Sequence, residues 1–524
     1  MGTSMGAVVA RGYRTFATRP AIVQPGRVTT FAELQTRVHK VAHALAGLGA
    51  RPGDRVVLWL ENRPEFVEVE QAVFLAGFVR AALSPRLHPT EVLGIVEDCS
   101  ATVVVTSPEL GTALLRAAGD APLGATIVTI GAVGVDGALS YEALLASAPA
   151  APPVIPPPGP EDLAALLYTS GTTGLPKAAM LRHANWTAMV VGLLTELPPI
   201  GDADVILHVG PMAHLSGSIG TACYSRGAAT AMLPRFEPAE VLRAVSELGV
   251  TVLPLVPTML TSLVEAAAEG SYDLSSLRAL PYGGSAVAPG LLQRAQSLFG
   301  DMLVQVYGLS EALVPLAALT PEEHRSSPDQ GLPARLSSAG HPSSFVDIRV
   351  VSDEGDEAAP GVAGELLVRG DTVMAGYWAR PTETAEVLTS DGWLRTGDVG
   401  YLDEDGYLFL VDRKRDVIVT GGYNVYPGEV ERVIETLPEV HEVVVVGAPD
   451  GRWGETVTAV VALKGGQSLS AERVIEVCRE HLAGYKKPTS VHFVEALPKN
   501  SAGKLLRREV RSGFWAGRQH QIGH

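Results

Sequence analysis

Amphipathic helices alternate with short, wholly apolar strands along most of this chain, and that alternation restricts its fold more than any other feature. Phe31, Leu34, Val38, Val41, Leu45 and Leu48 recur at helical spacing. Thr30 and Glu33 are placed to close a capping box at the start of that helix. After the turn Arg51-Pro52-Gly53-Asp54 comes VVLWL, Val56 to Leu60, apolar at every position. A strand of that kind has to be covered on both faces, as in a parallel sheet. The rhythm repeats with a helix around Glu65 to Gly77 and the strand Thr102 to Thr106. It continues with strands expected at Val205 to Val209, Thr251 to Val256 and Met302 to Val306. Helices alternating with buried strands specify an α/β fold with a parallel sheet between helical layers. From about Val346 the pattern changes to short strands with Gly/Asp turns, as in a β-barrel-like subdomain. The last hundred residues or so alternate again, with a helix near Ala471 to Leu482, and read as a small separate α/β domain.

The length, 524 residues, corresponds to two to four domains at roughly 150 residues each. Lys and Arg number 41 against 57 Asp and Glu, a net charge of -16, which argues against a general nucleic-acid binder. Cys99, Cys223 and Cys478 are far apart and form no CxxC pair, so neither a disulfide framework nor a zinc site is expected. The longest apolar stretch, Val250 to Val264, is broken by Pro254 and Pro257 and falls short of the ~20 residues of a membrane span. A cytoplasmic location is the expectation. A homodimer is compatible with all of this.

Five segments carry chemistry. Tyr168 to Lys177, YTSGTTGLPK, follows an apolar strand and gathers hydroxyls, two glycines and a lysine. Glycine amides and hydroxyls suit a polyphosphate, although a glycine-rich surface turn has the same composition. It does not match a Walker A loop, which disfavours a generic nucleotide kinase. Tyr307-Gly308-Leu309-Ser310-Glu311 supplies a ring to stack on a purine and a carboxylate for Mg²⁺; a turn before a helix explains it equally well. In Trp393 to Asp398, WLRTGD, the aspartate is either a ribose acceptor or a turn residue. The run Asp412 to Asp416, DRKRD, and the segment Pro498 to Lys504, PKNSAGK, are each also explained as solvated linker or tail.

Together, in this order and at this spacing, the five segments resemble the acyl-adenylate-forming superfamily, which includes acyl-CoA synthetases, peptide-synthetase adenylation domains and luciferases. The resemblance runs from about Thr30 to Arg507. It implies residues 1–412 as the adenylating domain, 413–415 as a hinge and 416–524 as a mobile C-terminal domain carrying the catalytic lysine. Thr169, Ser170, Gly171, Thr172, Thr173, Gly174 and Lys177 would hold the ATP phosphates. Gly283, Gly284, Ser285 and Ala286 would line the adenine and acyl pockets. Tyr307 would stack on adenine, with Gln305 at its edge and Gly308 and Ser310 beside it. Glu311 would coordinate Mg²⁺, while Asp398 and Arg413 would bind ribose. Lys504 would act in adenylation, and His214 would stand between the ATP and acyl pockets. Arg415 departs from the family's usual hinge residue, and Pro211-Met-Ala-His214 lacks the usual phenylalanine.

The implied activity is that of an AMP-forming acid–CoA ligase using ATP, Mg²⁺ and CoA. Gly421, Gly422, Tyr423 and Trp453 resemble CoA-ligase segments. The implied rivals are an adenylating enzyme with a carrier protein or amine as acceptor, one that activates a non-carboxylate anion, and an inactive ATP-binding relative. The segments expected around the acid are 214–221, 256–260, 282–286 and 313–316. They are small or apolar, which points to a fatty or aromatic acid.

Overall fold

The structure is a computed structural model. It describes residues 3–131, 134–169, 176–285, 287–326, 332–352, 355–413, 416–420, 423–450, 453–482, 484–500 and 505–516. At 169, 412, 413, 419, 423, 424 and 454 it describes the backbone alone. The chain divides into two compact units, one of residues 1–348 and 368–394, the other of 349–367 and 395–524.

The first unit is built on a seven-stranded sheet. Its order is Leu139–Ser140, Thr126–Thr129, Val103–Thr106, Arg55–Trp59, Val79–Leu83, Leu163–Thr169, Lys177–Arg182. Every neighbouring pair is parallel except the last, where Leu163–Thr169 and Lys177–Arg182 form an antiparallel hairpin. The apolar run at Val56 has its expected cause. Val56 and Leu58 pack with Phe31, Leu34, Val38 and Val41 of the helix Phe31–Gly47 on one face. Val57 and Trp59 pack into a separate core on the other. The capping box of that helix is present: Glu33 N–H donates to Thr30 Oγ1 (3.3 Å) and Thr30 N–H to Glu33 Oε2 (2.7 Å).

Two four-stranded sheets complete this unit. One runs Val205–His208, Ala229–Met232, Pro20–Gln24, Arg27–Thr30; the other Leu280–Gly283, Leu303–Tyr307, Ala317–Leu319, His341–Pro342. The strand expected at Thr251 to Val256 is not one. Only isolated bridges form there, Val252 to Ile206 and Ala279, and Leu255 to Tyr282. Pro254 lacks the N–H that a continuous ladder needs.

A further four-stranded sheet, Val346–Val351, Gly364–Gly370, Leu394–Leu402, Leu408–Arg413, runs in sequence order and is the half-barrel that the change of pattern at Val346 predicts. The second unit holds the sheet Tyr423–Val425, Ile418–Thr420, Gly454–Leu463, Val440–Asp450, with Ser490–Val494 parallel to Gly454–Leu463. The helices Pro427–Ile434 and Ala471–His481 bury Val430, Ile434, Val474 and Val477 in the core of this sheet.

Candidate active site

The hairpin at the edge of the seven-stranded sheet sets Thr169 opposite Lys177. Ser170, Gly171, Thr172, Thr173 and Gly174 lie outside the described residues, so of the phosphate segment the structure shows its two ends. The outer strand is then extended by a segment far along the chain. Met180 N–H donates to Gly376 O (2.9 Å), Ala375 N–H to Met180 O (2.8 Å) and Trp378 N–H to Ala178 O (2.9 Å). The same segment meets the residues after Tyr307: Met374 N–H donates to Glu311 O (2.9 Å) and Leu313 N–H to Thr372 O (3.1 Å). Residues 372–378 therefore stitch Glu311 to Lys177. At the junction Tyr377 Oη donates to Glu311 Oε1 (3.0 Å), and Lys177 Nζ lies 5.4 Å from the centroid of the Tyr377 ring. The result is a cation, a hydroxyl and a half-buried carboxylate in one place. Sequence reasoning missed Tyr377. Its only local signal is the preceding Gly376, which has φ +134°.

The second group forms on two adjacent parallel strands. Tyr282 pairs with Gln305 and Gly283 with Val306. Alternation puts Gln305 and Tyr307 on one face. Two glycines permit this packing. A Cβ on Gly283 would lie 2.3 Å from Val306 O, and one on Gly308 would lie 2.8 Å from Val314 Cγ1. Gly284, at φ +98°, and Ser285 are exposed, and Ser310 is half-buried. Ala286 lies outside the described residues. Tyr282 Oη is 2.9 Å from the Gln305 amide and 2.8 Å from His324 Nε2.

His214 ends the segment Gly210 to His214, which the half-buried Asn62 and the buried Arg80 hold. Asn62 Nδ2 donates to Gly210 O (2.9 Å), and Met212 N–H donates to Asn62 Oδ1 (3.1 Å). Arg80 Nη2 donates to Met212 O (3.3 Å), while Arg80 Nε is 2.6 Å from Glu70 Oε1. Desolvation and then the Arg80 charge hold the pKa of His214 below its ordinary value. The following helix, Leu215–Ser225, needs its glycines. A Cβ on Gly217 would lie 1.9 Å from Met212 O, and one on Gly220 would lie 2.5 Å from His208 Cε1. His208 is buried, bonds Ser216 Oγ through Nδ1 (2.7 Å), and is pushed down to about 4 by desolvation.

In the second unit Asp398 is 6% exposed and stands directly opposite Arg413 across an antiparallel pair. Its own N–H donates to Thr396 Oγ1 (3.0 Å), and Thr396 Oγ1 donates to Leu366 O (2.8 Å). The register thus brings together the two residues expected at ribose. Tyr423 begins a short strand with its Cα opposite Thr420, and Trp453 is 49% exposed. Arg415, Gly421, Gly422 and Lys504 lie outside the described residues. Lys499 and Leu505 form an antiparallel bridge on either side of the Lys504 segment.

The model of the "AMP-binding enzyme" family matches residues 9–378, and that of the "AMP-binding enzyme C-terminal domain" matches residues 429–504. A feruloyl-CoA synthase of Amycolatopsis sp is 37% identical over 498 residues, covering 94% of this chain and 96% of that protein. The fatty acid–[acyl-carrier-protein] ligase ScoC of Streptomyces coeruleorubidus is 35% identical over 509 residues, covering 96% of this chain and 95% of ScoC. The crystal structure of ATP-bound MatB from Rhodopseudomonas palustris superposes with a TM-score of 0.87 at 29% identity, covering 99% of this chain and 100% of that one. Matched nearly end to end, and over most of its length by two family models, the chain belongs to the AMP-binding enzymes, within the acyl-adenylate-forming superfamily of acyl-CoA synthetases.

Proposed function

We infer that the acid activated by this ligase is apolar, either aromatic or fatty. The enzyme is an ATP-dependent, AMP-forming acid–CoA ligase. A carboxylate oxygen attacks the α-phosphorus of ATP, the bond to the β-phosphate breaks, and pyrophosphate leaves. The CoA sulfur then attacks the acyl carbon, the bond to AMP breaks, and the thiol proton passes to solvent. Such chemistry is mostly positioning and charge stabilisation, which suits a site of hydroxyls, glycines and lysines.

The observation that carries the apolar reading is a convergence of small and apolar residues beyond His214. The place of a Cβ on Gly210 is 3.9 Å from both Met259 and Ser216, and that on Gly283 is 3.4 Å from Leu215 Cδ2. Met259, Ser216, Leu215 and Gly283 come from three of the four segments expected around the acid, Gly210 adjoins two of them, and none of the five is charged. The feruloyl-CoA synthase relative acts, by its name, with an aromatic acid.

In this reading Lys177 and Thr169 to Gly174 hold the phosphates, Tyr307 and Gln305 face the base, and Asp398 and Arg413 hold the ribose. Lys504 contacts the carboxylate and α-phosphate. Gly421, Gly422, Tyr423 and Trp453 take the pantetheine, and 413–415 form the hinge between adenylating and C-terminal domains. Glu311 fits Mg²⁺: one half-buried carboxylate, steadied at Oε1 by Tyr377, leaves the remaining ligands to phosphates and water, the donor set this ion prefers. When bound, the ion neutralises charge on the departing pyrophosphate. Three buried free cysteines support a reducing, cytoplasmic setting. Among the described residues no helix is long and apolar enough to cross a membrane.

A panel of carboxylates tests the reading by pyrophosphate release, repeated with CoA and with an acyl-carrier protein. Phenylpropenoic, arylacetic or medium-chain acids should lead the panel. A dicarboxylate in first place would overturn the apolar pocket. AMP release driven only by the carrier protein would move the acceptor to the one in ScoC's name.

A further inference from the structure

The polar trio behind the base face contains a proton count that decides how Gln305 is oriented. His324 Nδ1 lies 2.7 Å from Thr320 O, and a carbonyl can only accept, so Nδ1 carries a hydrogen. His324 is 2% exposed, and burial pushes it down to about 4, so it is neutral at physiological pH and Nε2 is a bare acceptor. Nε2 is 2.8 Å from Tyr282 Oη and must receive the only hydroxyl proton there. The amide atom of Gln305 at 2.9 Å from the same Oη must then be a donor. With Oε1 at that position, one proton would face two acceptors. Rotating the amide by 180° exchanges its oxygen and nitrogen at no steric cost. Gln305 therefore gives its NH₂ to Tyr282. Among the described residues no other hydrogen bond to this amide is present.

We propose that His324 and Tyr282 are positioning residues for base selection: they turn the Gln305 amide so that its carbonyl oxygen, rather than its NH₂, faces the bound base. An outward acceptor matches the exocyclic 6-amino group of adenine and repels the 6-oxo group of hypoxanthine or guanine. Neither residue touches the nucleotide; each acts through Gln305. The proposal rests on the reading that Gln305 and Tyr307 face the purine.

The test compares ATP with ITP as adenylation substrates, scoring the ratio of kcat/KM on the full-length enzyme. Wild type should prefer ATP. His324→Phe frees the hydroxyl proton, which can then go to Gln305 Oε1 and turn the NH₂ outward. Tyr282→Phe removes the orienting hydroxyl and only one atom, so it should fold if His324→Phe does not. Either change should lower the ATP/ITP ratio about fivefold or more, the size of a lost or mismatched neutral hydrogen bond. A purely structural role would lower both rates alike and leave the ratio unmoved, which would overturn the proposal. Gln305→Leu separates the two levels. If it collapses the ratio while the other variants keep it, the base is read at Gln305 but His324 and Tyr282 do not orient it. If it too keeps the wild-type ratio, Gln305 does not face the base, and the underlying reading fails with the proposal.

Discussion

Arg80 shows how much of the site depends on one side chain with no counterpart in the motifs. It is 1% exposed, pairs with Glu70, reaches Met212 O, and lies 5.3 Å from the Trp186 ring centroid. Removing one partner of a buried pair strands the other charge and costs about 3–5 kcal/mol. Arg80→Met is therefore expected to lower stability by that amount in urea titrations at neutral pH. Burial already raises the pKa of Glu70, and Arg80 opposes the rise. Without Arg80 the folded-state value climbs further above its unfolded value, so the penalty acts above the unfolded value and fades as pH falls towards it. The deficit should thus shrink at mildly acidic pH, and adding Glu70→Gln should recover part of it; a deficit independent of both would refute this account. For Lys504 the expectation concerns activity. Lys504→Ala should cut acyl-adenylate formation by on the order of 10²- to 10³-fold, the usual loss of one preorganised charge, with the melting temperature unchanged. Near-normal pyrophosphate release would remove Lys504 from the mechanism. Lys504, Glu311 and Asp398 could be proposed from the sequence because each sits in a short motif. Tyr377 and Arg80 could not, because the contacts that tie them to the site, Glu311 and Met212 O, lie 66 and 132 residues away.

At the scale of elements, glycines decide where strands approach. Gly283 pairs with Val306 in a parallel ladder, and a methyl group there would enter the contact radius of Val306 O at 2.3 Å. Gly283→Ala should push the two strands apart, costing about 1–3 kcal/mol as overpacking does, and should raise KM for ATP through Gln305 and Tyr307 on the neighbouring strand. Gly284→Ala is the control, since its Cβ would meet nothing within 4 Å and only its positive φ is strained. If both variants lose equally in stability and in KM, backbone conformation and not strand spacing governs this sheet. The helix Phe31–Gly47 and the strand Arg55–Trp59 were legible to within a residue or so, because a capping box and an unbroken apolar run are local signals. The segment Thr251 to Val256 has the apolar content of a strand and forms bridges only, because Pro254 has no N–H to give to a continuous ladder.

For the whole molecule the test is whether the two half-reactions can be separated. Arg415→Pro would fix φ near -65° and remove a backbone donor in the proposed hinge. The variant should keep much of its acyl-adenylate formation if the frozen geometry is the adenylating one, and lose CoA-dependent consumption of preformed acyl-adenylate. Equal losses in both rates would mean general damage, and no loss in either would make 413–415 a plain linker. Hydrophobic periodicity, turn chemistry and the order of five short segments determined the α/β class, the change of pattern near Val346 and the family, since all of these are set by residues close together in the chain. Tertiary structure alone decided that residues 372–378 join Glu311 to Lys177, that Asp398 faces Arg413, and that Tyr282 and His324 stand behind Gln305. Those contacts follow from strand register and from which distant segment covers a sheet edge. A two-residue alternation repeats too simply to specify either.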